Sequence, residues 1–267
     1  MSQSSVIIKW SGTDALILGS WRLLGAGLIL LVWGKIYLPK EKINPNQHRK
    51  IIAAGFAFFM HLFSYAYSAH HTSIAHLMLI FSLNPVTTAI GSWIFFKEKM
   101  TKKQILSYIL ALLGIYILAR EKHGTSEVIG DAMAIVAAIT FSAYALLSQW
   151  ARRDISNIVF SSHMYLVGSF FFFITLFLFG PGPLAADSSK GWVGIALLTF
   201  LPTLLGHGTF TFVIKHIPLS VLSLGKLLEP GFAAITAFLL FQERLSSSAV
   251  LSSLLIFTAV VLVVKIK

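Results

Sequence analysis

Nine separate runs of apolar residues, roughly 15–34, 51–69, 74–96, 104–119, 130–149, 157–179, 192–213, 218–241 and 247–264, leave little of this 267-residue chain for anything else. A bilayer core of ~30 Å demands about 20 such residues of a helix that crosses it. Lipid offers no partner to backbone N–H and C=O groups, so a chain that crosses repeatedly through short polar turns must form self-bonded helices packed as a bundle. Composition agrees, because 56% apolar and 12% charged residues exceed what a soluble domain can bury. The expectation is an all-α polytopic membrane protein with nine full transmembrane helices.

A net charge of +11 would suggest nucleic acid in a soluble protein, so the placement of the basic residues decides its meaning. Fourteen of the 21 Lys and Arg lie in the loops 35–50 and 97–103, at Arg152, Arg153 and Lys215, and in the C-terminal tail. The opposite set of loops holds five, and Arg22 and Lys226 fall inside apolar runs. Positive residues favour the cytoplasmic side, which places the richer loops and the C-terminus inside a cell inner membrane. The charge is an orientation signal, and nucleic acid is not an expected partner. There are no cysteines, so disulfides and thiolate metal sites are excluded.

The chain also repeats itself. Sliding it by 145 positions superposes 83–110 (LNPVTTAIGSWIFFKEKMTKKQILSYIL) on 228–255 (LEPGFAAITAFLLFQERLSSSAVLSSLL), pairing Pro85 with Pro230 and Glu98 with Glu243. Over 76–120 against 221–265, 11 of 45 positions are identical. The loop after the first copy is far more basic than the loop after the second, so the copies are expected in opposite orientations, an arrangement common in transporters. The expected halves are 1–122 and 128–267. A five-helix unit is complete in the second half, whereas the first lacks most of its first helix, of which IIKWSGTD (7–14) reads as the end.

A proline in the fourth helix of each half (SLNPV, 82–86; LLEPG, 227–231) followed by a glutamate at the helix end (FFKEKM, 95–100; LFQERL, 240–245) resembles the EamA-type transporters of the drug/metabolite transporter superfamily. Arg22 in SWRLLGAGLIL is similar to an arginine that this family often carries. The resemblance implies two inverted five-helix repeats around a central cavity, and an exporter of amino acids, metabolites or toxic compounds.

Within this framework the intramembrane polar residues are the candidate substrate site, because ionisable groups at that depth are expensive. Lys226 and Glu229, three apart in GKLLEPGFAAI, share a helix face and together cost about 5–7 kcal/mol to insert. The twelve Leu, Ile, Val and Phe of 218–241 return only about 4–7 kcal/mol. The segment therefore needs a polar cavity or a self-satisfied ion pair. Arg22 has substrate or, alternatively, a loop carbonyl or Asp14 as its partner. His61, His163 and His207 lie within spans, where an imidazole suits either packing or proton transfer. Tyr65, Tyr144 and Tyr165 are amphipathic wall candidates, and Asn84 occupies the position that Glu229 holds in the other copy. Pro85, Glu98, Pro230 and Glu243 are structural, the two glutamates being expected in interfacial salt bridges. The run HHTSIAH (70–76) has a metal-like spacing but no carboxylate or thiol in the sequence beside it, and no metal is expected there.

The chain carries no phosphate-binding loop GxxxxGK[ST], no HExxH and no GxSxG, which argues against ATP hydrolysis and enzyme chemistry. Glu229 is the only carboxylate that the sequence places deep in a span. The expected function is secondary-active transport by alternating access, exporting small metabolites, amino acids or amphipathic, cationic compounds. A small-molecule substrate, the lipid bilayer and a proton or exchanged counter-substrate are the partners, and no cofactor is needed. The alternative is a truncated membrane protein that does not transport and serves an interaction or assembly role.

Overall fold

The structure is a computed structural model describing residues 2–38, 41–119, 125–180, 182, 184–242 and 246–264, and every regular element among them is helical. In chain order these are α1 (Ser4–Ser11), α2 (Ala15–Tyr37), α3 (Pro45–His71), α4 (Ile74–Phe81), α5 (Asn84–Phe96), α6 (Lys102–Ala119), α7 (Thr125–Ala151), α8 (Asn157–Phe179), α9 (Ser189–Leu198), a π-helix (Thr199–His207), α10 (Gly208–Val213), α11 (Leu219–Leu224), a 3-10 turn (Gly225–Leu228), α12 (Glu229–Phe241) and α13 (Ser247–Val264). The nine apolar runs are mostly helical, the run 74–96 being interrupted by a turn at Ser82 and Leu83. Six stretches, Ala15–Tyr37, Pro45–His71, Ile74–Phe96, Glu127–Ala151, Asn157–Phe179 and Ser189–Val213, are long and apolar enough to cross a membrane by length and composition. Glu229–Phe241 and Ser247–Ala259 are apolar but shorter. Large apolar side chains such as Phe95, Phe177 and Phe179 stand exposed, as expected of helices whose outer faces meet lipid.

The chain forms two compact units. Unit 1 takes residues 7–63 and 143–217, and unit 2 takes 2–6, 64–142 and the chain from 218 onward. Each unit therefore draws on both halves.

Unit 1 is built on α2 against α8, with α9 and the π-helix packed on α2 and α10 on α8. Asp14 starts α2, its carboxylate accepting from the backbone N–H of Leu16 at 2.8 Å and Ile17 at 3.4 Å. That is a standard cap for the unpaired first-turn donors. The π-helix contains Pro202. A proline has no N–H, so the Leu198 carbonyl, one α-turn earlier, loses its ordinary donor. The Thr203 hydroxyl takes that place, donating to Leu198 O at 2.7 Å.

Unit 2 carries the repeat. The helices restart at Asn84 and at Glu229, and each of the paired helices ends in a left-handed residue, Lys97 (φ 59) and Gln242 (φ 55). Both pairs are 145 residues apart. Helix α4 packs on α12 while α5 packs on α11. The N-terminal half of each broken helix thus lies along the C-terminal half of the other, the pairing of antiparallel rods. Helices α6 and α13 meet in the same reciprocal way. Ser107 Oγ donates to Ala259 O at 2.8 Å, and Gly114, the partner of Ala259 in the repeat, leaves room for only 3.1 Å between an added Cβ and Ser252 O. Ser252 is the partner of Ser107.

Candidate functional site

Each unit holds one concentration of buried polar and aromatic side chains. In unit 1 it is organised by Arg22, only 3% exposed. The guanidinium donates through Nε at 3.1 Å and Nη2 at 2.9 Å to the Thr203 hydroxyl. Tyr165 Oη donates to the Thr203 carbonyl at 3.2 Å, and Thr199 Oγ1 donates to Arg22 O at 3.3 Å. The anchor for the arginine is thus the irregular turn created around Pro202. Asp14, weighed as a partner for Arg22 from the sequence, caps its helix instead.

Beside Tyr165 lies a group of rings. Phe58 stands 5.6 Å from Tyr165, 4.6 Å from Tyr144 and 4.7 Å edge-on from His207, and His207 is 6.0 Å from His61. Tilted and edge-to-face contacts at these separations are the favourable ones for π-systems. The structure therefore brings Arg22, His61, Tyr144, Tyr165 and His207 into one cluster. His163 is not part of it, since its Nδ1 lies 2.8 Å from Val159 O of its own helix and 3.2 Å from Ser162 Oγ.

In unit 2 the centre is Lys226, 9% exposed, on the 3-10 turn between α11 and α12. Its Nζ lies 3.8 Å from Glu229 Oε1, 3.6 Å above the centroid of the Phe141 ring and 5.2 Å from that of Phe81. A cation over aromatic faces at these distances is attracted by the ring quadrupoles. Tyr65 joins through Phe81, with ring centroids 5.4 Å apart, and donates its hydroxyl to Met78 Sδ at 3.1 Å. The two prolines position the cage. Pro85 and Pro230 withhold the donors that Phe81 O and Lys226 O would receive in an unbroken helix, and Asn84 Nδ2 donates to Phe81 O at 3.0 Å. Ser142 ties α7 to this break, lying 2.8 Å from Thr88 Oγ1 and donating to Asn84 O at 3.1 Å.

A second carboxylate, Asp131, is half-buried in unit 2 on a helix long and apolar enough to cross a membrane. Asp131 accepts from Thr72 Oγ1 at 2.7 Å, and His76 Nδ1 lies 3.3 Å from its other oxygen. The HHTSIAH run therefore does have a carboxylate at hand, delivered from α7. Gly130 makes this possible, because a Cβ there would sit 2.7 Å from the backbone carbon of His71. No cluster of three metal-ligating side chains occurs among the described residues. Glu98, expected in an ion pair, accepts from the Ser220 hydroxyl at 2.9 Å. Glu243 lies outside the described residues.

Sequence reasoning missed Phe58, Phe81, Phe141, Asp131, Ser142 and Thr203. Asp131 had a readable signal, an acidic residue at the second position of the run 130–149. The Thr203 role had a weaker one in the preceding Pro202. The phenylalanines are indistinguishable in sequence from the many others that face lipid.

Long apolar helices whose buried faces carry an arginine, a lysine, carboxylates and imidazoles define a multi-pass membrane protein with polar interior sites. The comparisons specify which kind. The model of the EamA-like transporter family matches residues 3–120 and again 128–265, and the chain belongs to that family. It is a membrane transporter. The uncharacterized transporter YyaM of Bacillus subtilis is 26% identical over 232 residues, covering 82% of this chain and 74% of that protein. An uncharacterized transporter of Clostridium kluyveri is 22% identical, with 86% and 76% covered. A solved crystal structure shares the fold with a TM-score of 0.76 at 15% identity, covering 98% of this chain and 91% of the other.

Proposed function

We propose that this transporter is a secondary-active exporter of small metabolites, amino acids or amphipathic cationic compounds, working by alternating access in a cell inner membrane with its C-terminus cytoplasmic. The observation that carries the reading is the Lys226–Glu229 pair at 3.8 Å on a broken helix. Such a pair is expensive at membrane depth and is expected where substrate or an ion is handled. The halves 1–122 and 128–267 act as inverted repeats in this proposal. Support comes from the antiparallel pairing of the broken helices and the reciprocal α6–α13 contact. The uneven basic charge of the loops supports the orientation. Arg22, His61, Tyr144, Tyr165 and His207 form one substrate-facing group, and Tyr65, Asn84, Lys226 and Glu229 the other.

The test is counterflow in proteoliposomes holding a panel of amino acids and organic cations. Wild-type protein exchanges at least one of them, whereas Glu229→Gln, which keeps shape and hydrogen bonding, loses exchange or its pH dependence while expressing normally. Unimpaired exchange by Glu229→Gln at every pH tested overturns the role of the pair. Absence of exchange for every compound in the panel overturns the substrate class.

A further inference from the structure

Lys226 does more than balance a carboxylate. Its Nζ sits 3.6 Å above the Phe141 ring and 5.2 Å from the Phe81 ring, with Glu229 Oε1 at 3.8 Å. Aromatic faces around a cation, completed by a carboxylate, are the chemistry by which proteins recognise alkylammonium groups. Here the group bound is the chain's own side chain. A lysine ammonium on its flexible stem is an alkylammonium, so the arrangement has the form of a binding site filled by a tethered ligand.

The cage is built for this occupant. Phe141 comes from α7, Phe81 from the end of α4, and Lys226 and Glu229 from the turn and the first residue of α12. Phe81 is held by Asn84 through its carbonyl and by the edge-on Phe141 ring, with centroids 5.7 Å apart. The Lys226 segment is the irregular part. A 3-10 turn joins α11 to α12 at this point, and Pro230 withholds the donor from the Lys226 carbonyl. Short 3-10 stretches within helices often mark hinges. The walls are anchored, whereas the tether is carried on an irregular turn.

We infer that Phe81, Phe141 and Glu229 form an ammonium-binding site that Lys226 occupies in the ligand-free protein and that the alkylammonium group of a cationic substrate enters by displacing Lys226. This deepens, and rests on, the reading of the chain as an exporter of cationic compounds. Self-occupancy weakens the apparent affinity by the fraction of time the site is open. Lys226 refills the site once the ligand has left and so opposes rebinding, which suits a site that must bind and release in each cycle.

The experiment is calorimetric titration of the full chain in detergent with tetramethylammonium, using tert-butanol as the uncharged control of similar shape. Lys226→Ala removes the competitor, and its affinity for tetramethylammonium rises about tenfold or more over wild type if Lys226 fills the site at least nine-tenths of the time. The control alcohol gains nothing. Adding Phe141→Leu or Glu229→Gln to Lys226→Ala reverses the gain. A Lys226→Ala protein that binds no more tightly than wild type, or binds equally well without Phe141, overturns the inference.

A second measurement uses wild-type protein alone, should Lys226→Ala not fold. Acylation of Lys226, read by mass spectrometry, rises several-fold when tetramethylammonium is present, and an unchanged rate overturns the displacement. Both readouts are of binding, so failure to transport in proteoliposomes and failure of the cage are separable results.

Discussion

Phe81 and Lys226 are matched to each other by the 145-residue repeat, and they meet, with Lys226 Nζ 5.2 Å from the centroid of the Phe81 ring. Each is also the residue whose carbonyl loses its donor to the proline four positions later, Pro85 or Pro230. The same local break, made twice, has been given phenylalanine on one side and lysine on the other. That asymmetry turns two equivalent breaks into a cation and its aromatic support.

Orientation is checked first. The chain has no cysteine, so single replacements label against a silent background. Gln47→Cys is expected to react with an impermeant thiol reagent only after the membrane is opened, and Ser247→Cys in intact cells, Ser247 being exposed and Gln47 half-buried. Labelling of Gln47→Cys in intact cells reverses the topology.

The Arg22–Thr203 contact predicts a split between two substitutions. Thr203→Val keeps the volume but removes the hydroxyl that accepts from the buried Arg22 guanidinium, a loss of about 1–3 kcal/mol, seen as a lower Tm in detergent. Thr203→Ser recovers it. Arg22→Lys keeps the charge and loses the fork of donors, so its exchange activity falls at least as far as that of Thr203→Val.

Gly130 and Gly231 are expected to behave oppositely when changed to alanine. At Gly130 the new Cβ meets the His71 backbone at 2.7 Å, and overpacking of this kind costs about 1–3 kcal/mol. At Gly231 nothing lies within 4 Å, and alanine in a helix gains about 0.8–1 kcal/mol over glycine. Thermal unfolding of the two proteins side by side decides the point, and a stable Gly130→Ala would mean that α7 can withdraw from residues 71–72 without loss.

The loop ends of unit 1 carry a pH-dependent tie. The Lys50 ammonium, hydrogen-bonded to Asp154 at 2.6 Å, holds the Asp154 carboxyl below the usual carboxylate range. A lowered carboxyl contributes stability above its unfolded value of about 3.9 and loses it as the pH falls through the folded value. Asp154→Asn is therefore expected to unfold at a lower temperature than wild type at pH 6, with the gap closing as the pH falls below about 4. A gap that does not narrow as the pH is lowered would assign the effect to something other than this pair.

What the sequence determined by itself follows from properties carried residue by residue. Hydrophobicity marks the nine apolar runs, and equal spacing reveals the repeat with its paired prolines; each can be read locally or by comparing the chain with itself. The proximity of Lys226 to Glu229 was legible for the same reason, since a separation of three residues fixes them on one helical face.

Only the tertiary structure decided who meets them. Phe141 comes under the Lys226 ammonium from 85 positions away, Thr203 reaches Arg22 across 181, and Asp131 reaches His76 across 55. No local pattern encodes such distances. They depend on how helices of similar apolar character choose neighbours, and in a membrane that choice is made by close packing and polar contacts rather than by hydrophobicity. Lipid-facing and interior phenylalanines therefore look alike until the helices are assembled.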